Sequence, residues 1–334
     1  RAKQEWQEAA RLNPNNADAW ELLAEAYLSE KNWKAAVEPF RQLLRLRPDT
    51  ANVYERLAAA ALHSGEEASA AQFAQEELQR DPKNIEALKI AIRLLPYAKD
   101  AEQKLNYLRQ MVALQPNDSE FSLLLAQEAI TQHRYPEALA ALDSLLQREP
   151  ENVKALSLRG MSRVESAASA AEQAQAEADL KRALELAPGV PFPRFYLGKL
   201  YARQGRMMQA VAQLELAARA MPGRKEIFFE LQNAYAQTGQ PARAAQARQQ
   251  FAALQQEETL LDTLQKRCVV EPNDFDSHLR LGLLLLKHGD RRKAGLFLKR
   301  AQTLRPEDIR VKTALQQVAL QSGRPESLTV PGGP

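Results

Sequence analysis

Residues Ala17–Asp49 read ADAWELLAEAYLSEKNWKAAVEPFRQLLRLRPD. Apolar side chains recur at Trp20, Leu23, Ala24 and Tyr27, and again, after a polar break, at Ala36, Phe40 and Leu43 before Pro48. Spacings of three and four place each set on one face of a helix. The stretch therefore reads as two amphipathic helices joined by a turn and closed by proline, because the residue before a proline is pushed out of the α region. The punctuation continues along the chain: prolines stand at Pro14, Pro48, Pro82, Pro116 and Pro150, a constant spacing of 34, and then at Pro188, Pro222, Pro272 and Pro306.

Aligned on Ala17, the segments share their apolar columns. The fourth position holds Trp20, Tyr54, Leu88, Leu156 and Phe228; the seventh and eighth hold Leu23-Ala24, Leu57-Ala58, Leu125-Ala126, Leu197-Gly198 and Leu281-Gly282; the eleventh holds Tyr27, Ala61, Tyr201, Tyr235 and Leu285. The twentieth is almost always alanine, followed four residues later by Phe40, Leu108, Leu142, Leu180, Leu214 or Leu298. Small residues at the eighth and twentieth positions let the two helices approach closely, and large ones fill the remaining space. Asn15, Asp49, Asn117, Asn152 and Asn273, beside the prolines, are candidate helix caps.

This pattern resembles the tetratricopeptide repeat, W-x2-L-G-x2-Y, then A-x3-F, then P, over about residues 1 to 321. The resemblance implies an all-α fold, a right-handed superhelical solenoid of stacked antiparallel hairpins. Eight full repeats are read at about 17–50, 51–84, 85–118, 119–152, 153–190, 191–224, 225–256 and 275–308, with a lone second helix before them and a cap helix after them. No hairpin buries its stripe alone, so only stacking makes a core. The expected organisation is a main solenoid over 1–256, a long-helix joint over 257–274, a short C-terminal stack over 275–321 and a disordered tail over 322–334.

Three places break the pattern. Pro96 and Tyr97 should shorten the first helix of the repeat at 85–118; four extra residues near Ser166 should lengthen the repeat at 153–190, as added helix or as a binding loop. After the repeat at 225–256 about sixteen further residues carry the stripe Leu254, Leu261, Leu264 and Cys268, which reads as one long helix from about Pro241 or as two helices with a bend.

Composition narrows the function. Forty-five basic and 42 acidic side chains leave a net charge of +3, too little for the whole-molecule field to imply binding to nucleic acid or an anionic membrane. The acidic groove residues Asp18, Glu21, Glu25, Glu120, Glu226 and Asp276 argue against RNA. One cysteine, Cys268, allows no internal disulfide. The histidines His63, His133, His278 and His288 have no ligand spacing, and no phosphate loop, dinucleotide fingerprint or nucleophile elbow is present, so no metal, no cofactor and no catalysis are expected. The chain has no apolar run long enough to span a bilayer and reads as soluble, in a bacterial cytoplasm or on the periplasmic face of the envelope. It starts at Arg1 inside a repeat, from which a signal, an anchor or further repeats upstream are expected.

In the resembled family, ligands lie in the groove lined by the first helix of each hairpin. The lysine and asparagine clamp of its chaperone-binding members and the asparagine ladder of its sugar-transferring members are both missing here. What remains resembles the bacterial scaffold or assembly type: a non-catalytic interaction scaffold whose partner is a protein or peptide, within a larger complex. The alternative is the substrate-recognition arm of an enzyme whose catalytic domain lies outside this chain. The site expected from the groove positions is Phe192, Phe195, Tyr196, Lys199, Arg203, Phe229, Asn233 and Gln237, with Phe195 and Phe229 as apolar anchors and Lys199 and Arg203 holding a carboxylate or phosphate; the other reading is that Phe192, Tyr196 and Phe228 pack between repeats, with Phe195 and Phe229 as partly covered neighbours. A second, basic docking surface is expected at Arg291, Arg292, Lys293, Lys299 and Arg300, set against an acidic partner surface or anionic headgroups; the other reading of those charges is a solvated helix face.

Overall fold

The structure, a computed structural model, describes residues 2–95, 101–166 and 169–321. Every regular element among them is an α-helix. The chain forms two compact units, Arg1–Pro150 and Glu151–Pro334. The first holds α1 (Ala2–Leu12), α2 (Ala17–Ser29), α3 (Trp33–Leu46), α4 (Val53–His63), α5 (Glu67–Arg80), α6 (Ile85–Leu94), α7 (Ala101–Leu114), α8 (Ser119–Thr131) and α9 (Tyr135–Arg148). The second holds α10 (Val153–Glu165), α11 (Ala170–Leu186), α12 (Phe192–Arg203), α13 (Met207–Ala220), α14 (Lys225–Gln237), α15 (Pro241–Val270), α16 (Phe275–Lys287), α17 (Arg291–Leu304) and α18 (Ile309–Gln321).

From α2 to α9 and from α10 to α17 the helices pair as hairpins, each second helix packing on the next first helix within its unit. With α1 in the first unit and the closing α18 in the second, each unit is an all-helical stack of four tetratricopeptide-like hairpins. The close approach of paired helices has a direct signature. A Cβ added to Gly198 would lie 2.5 Å from Leu214 Cγ, and one added to Gly160 or Gly282 would lie 2.6 Å from the Cγ of Leu180 or Leu298. Where the same column is alanine, Ala24, Ala58 and Ala126 are wholly buried.

The turn inside six of the hairpins follows one rule. Gly65, Gly205, Gly239 and Gly289 take positive φ at the fifteenth position of their repeats, and Lys31 and His133 take it at the same place in theirs. There the chain reverses with a bond from the sixteenth N–H back to the eleventh carbonyl, as in Arg206 to Tyr201 and Gln240 to Tyr235. Three of the helix caps differ from expectation by one residue. Asn16, Asp118 and Asp274 accept the first-turn amides, where Asn15, Asn117 and Asn273 were expected; Asn152 caps α10 as expected, and α4 starts after Asn52 in place of Asp49. The turn after the proline needs one more residue before the chain re-enters the helix, so the side chain next to the helix start is the one in reach, of the amide three residues on for Asn16 and Asn152 and two on for Asp118 and Asp274.

At the breaks, α6 ends at Leu94 after only 10 residues, while Pro96 and Tyr97 lie outside the described residues. The extra residues near Ser166 largely enter the helix: α11 runs 17 residues against 14 in α13, and its start is a capping box of Ser169 and Glu172. Residues 167–168 lie outside the description, as does the tail over 322–334.

The third break is a single 30-residue helix, α15. Its first half packs on α14 through Ala244 and Ala247, in the core that also holds Leu214 and Tyr235. Its second half packs on α16 through Leu261, Leu264 and Cys268, in a separate core with Phe275, Leu279 and Leu298. Between the halves, Glu258 receives Lys225 from α14 and Glu257 receives Lys287 from α16, with His288 Nε2 3.3 Å from Glu257.

Candidate partner-binding face

The first helices α10, α12 and α14 pack side by side in the second unit and carry the residues expected to bind. The structure separates them. Tyr196 is buried, and Phe195 is 2% exposed. Their rings lie 4.9 Å apart, Phe192 stands 4.8 Å from Tyr196, and the Arg224 guanidinium covers both Phe192 and Phe195 at 5.2 and 5.0 Å. Phe195 is thus part of the inter-repeat core and not an open anchor: Phe192 and, one turn on, Phe195 and Tyr196 find one another, and a cation from the start of α14 closes the cluster. Phe229, at the same repeat position, is 45% exposed, with its ring 5.7 Å from Phe251 of α15. Asn233 and Gln237, one and two turns further along α14, are exposed.

The two cations are already engaged. Lys199 Nζ donates to both oxygens of Glu165 at 2.6 and 2.9 Å, while Arg203 lies 3.5 Å from the same carboxylate and donates to the Val164 carbonyl. The carboxylate expected from a partner is therefore supplied by α10. Beside this group stands Glu230 of α14, half-buried; burial pushes its carboxyl above the usual carboxylate range, Lys199 and Arg203 pull it back, and Glu165 adds to the rise. Two cations and two carboxylates leave the face close to neutral.

Glu165 and Glu230 were missed from the sequence. Glu165 lies 34 residues before Lys199, and opposite charges about one repeat apart recur as ion pairs throughout: Asp18 with Arg47, Glu102 with Arg134, Glu151 with Arg182. That spacing was the available signal.

The basic set on α17 is also partly engaged. Arg300 donates to the Pro272 carbonyl and to Asn273 Oδ1, Lys293 lies 3.4 Å from Asp290, and Arg291 is half-buried, whereas Arg292 and Lys299 are exposed. Among the described residues no helix is long and apolar enough to cross a membrane.

A family model described as tetratricopeptide repeat matches residues 1–49, 32–85 and 123–191. No curated protein matches the chain. Among solved structures, the C-terminal part of a TPR repeat-containing protein from Cytophaga hutchinsonii is 13% identical with a TM-score of 0.52, over 69% of this chain and 93% of that one. PilW, a type IV pilus biogenesis factor, is 19% identical with a TM-score of 0.49, over 60% and 92%. A chain of the APC/C hetero-tetramer Cut9-Hcn1 is 14% identical with a TM-score of 0.46, over 94% of this chain; the present chain spans 58% of its length. At 13% identity the first of these likenesses speaks for the fold alone.

Proposed function

The chain belongs to the tetratricopeptide-repeat family, and from that premise we propose that it is a non-catalytic scaffold holding a protein or peptide partner against the first helices of its second unit. The observation that carries this is Phe229, a large aromatic side chain 45% exposed at the middle of α14, with the exposed amides of Asn233 and Gln237 beside it. An exposed aromatic flanked by adaptable polar groups is the composition of an interface hot spot. Because Glu165 occupies Lys199 and Arg203, the partner presents an apolar side chain to Phe229 and neutral hydrogen-bonding groups to the amides, not a phosphate or a terminal carboxylate.

The test is calorimetric titration of Phe229→Ala against the protein captured by the wild-type chain. Helical content should stay unchanged while affinity falls about 30-fold, or about 2 kcal/mol. Unchanged affinity removes this face from the interaction. Glu165→Gln separates the neutral reading from the anionic one: an anion-binding face would gain affinity when its internal competitor is removed, and the neutral face proposed here would not.

A further inference from the structure

Second helices of neighbouring hairpins face one another across a shallow gap, and three of these gaps are tied by charge. Between α7 and α9, Arg109 donates to Glu137 at 2.6 and 3.0 Å, and Arg134 reaches Glu102. Between α11 and α13, Glu177 accepts from Arg206 at 2.7 Å and from the Tyr201 hydroxyl at 3.0 Å. Between α13 and α15, Glu215 accepts from Arg243 at 2.6 Å and from the Tyr235 hydroxyl at 3.0 Å, and the cavity left there is about 210 Å³.

The gap between α5 and α7 has no such tie. At the repeat positions where Glu215 and Arg243 meet, it carries Gln75 and Gln103, and no ion pair crosses it among the described residues. The cavity is larger, about 310 Å³, and is lined by Gln75 and Gln79 of α5, Gln103 and Gln110 of α7, and the half-buried Leu78 and Tyr107. That is within the range of ligand-sized pockets. Gln103 donates to the Tyr107 hydroxyl at 2.8 Å; Gln75, Gln79 and Gln110 make no side-chain hydrogen bond among the described residues, so their carbonyls and amides are open.

The lining sets the chemistry of an occupant. Four neutral amides offer donors and acceptors in equal number, which matches a peptide group, itself one donor and one acceptor. Gln75 and Gln79 are one helical turn apart, about 6 Å, close to the two-residue repeat of an extended strand, about 6.6 Å. The floor of Leu78 and Tyr107 suits one apolar or aromatic side chain. A charged segment would lose hydration here without gaining a counter-ion.

We propose that the α5–α7 gap is a second binding site, separate from the face of α10, α12 and α14, and that it takes a short, uncharged, extended peptide whose main chain pairs with the glutamines. Selection of random dodecapeptides displayed on phage against the full chain, followed by titration of one capped, selected peptide into amide-labelled protein, tests it. The expected binders are poor in charge, shift the side-chain amide signals of the four glutamines, and lose at least about tenfold in affinity on Gln79→Glu while binding Phe229→Ala unchanged. Gln75→Ala/Gln110→Ala, at exposed helix positions with unaltered circular dichroism, keeps the test independent of folding. Recovery of no such peptide, binding that falls with Phe229→Ala and not with Gln79→Glu, or tighter binding of maltohexaose than of the peptide would overturn the proposal.

Discussion

Gly198 shows how little space a single residue has in this fold. Alanine in its place gains helix propensity of about 1 kcal/mol, yet its methyl would meet Leu214 Cγ at 2.5 Å, with the Ala210 carbonyl at 3.3 Å behind it. Overpacking wins at such a distance, and Gly198→Ala is expected to destabilise α12 and α13 by about 1–2 kcal/mol, read as a lower urea midpoint. Glu177 gives a prediction in pH. Hydrogen bonds from Arg206, Lys181 and Tyr201 hold its carboxyl at about 2, well below its ordinary 4.5, so the folded state favours the ionised form. The resulting stability is complete above the ordinary value and fades as pH falls from there towards 2. Glu177→Gln should therefore unfold at lower urea than wild type at pH 7, with the difference vanishing near pH 2. The turn glycines belong to the same scale: Gly65, Gly205, Gly239 and Gly289 stand in one column of the sequence, and the left-handed backbone they permit was legible there, although Lys31 and His133 conceal it in two repeats.

At the scale of the element, α15 is the unusual object. Its length of 30 residues is about 45 Å of helix, and it serves two hairpins in turn, each with its own core. Leu264→Ala should cost about 2–5 kcal/mol, and because contacts in a repeat array run only between neighbours, the loss should fall on α16 to α18. Hydrogen exchange is expected to accelerate there while α10 to α13 stay protected; uniform acceleration would count against separate cores. The alternatives of one helix or two with a bend could not be decided from residues 241–270, since both satisfy the same apolar stripe. The helix is continuous because α14 and α16 each bury part of it, and Lys225 and Lys287 fasten to the adjacent Glu258 and Glu257.

For the whole molecule, net charge near zero predicts little long-range steering, so any electrostatic contribution must be local. Arg292 and Lys299 are the members of the basic set exposed without a partner among the described residues. Charge reversal at both should slow association with an acidic partner and abolish its salt dependence, measured by stopped flow at two ionic strengths; rates indifferent to both changes would assign these side chains to solvation. The same reversal should leave binding at Phe229 intact, because that face is neutral by its own ion pairs.

The sequence by itself determined the repeat, its phase and the helix pairing. An apolar column that recurs every 34 residues can be buried only by stacking like on like, and the small residues facing Leu180, Leu214 and Leu298 state how closely the helices meet. It did not determine which groove residues remain open. Phe195 and Phe229 share a repeat position and differ in exposure because Phe195 packs with Tyr196 into the inter-repeat core under Arg224, whereas Phe229 meets the Phe251 ring of α15 and stays 45% exposed. Lys199 and Arg203 are cations in the sequence and half of a neutral quartet in the fold, because their counter-charges Glu165 and Glu230 come from the neighbouring repeats. Burial and charge pairing are sums over neighbours brought together by stacking, and only the tertiary structure says which neighbours those are.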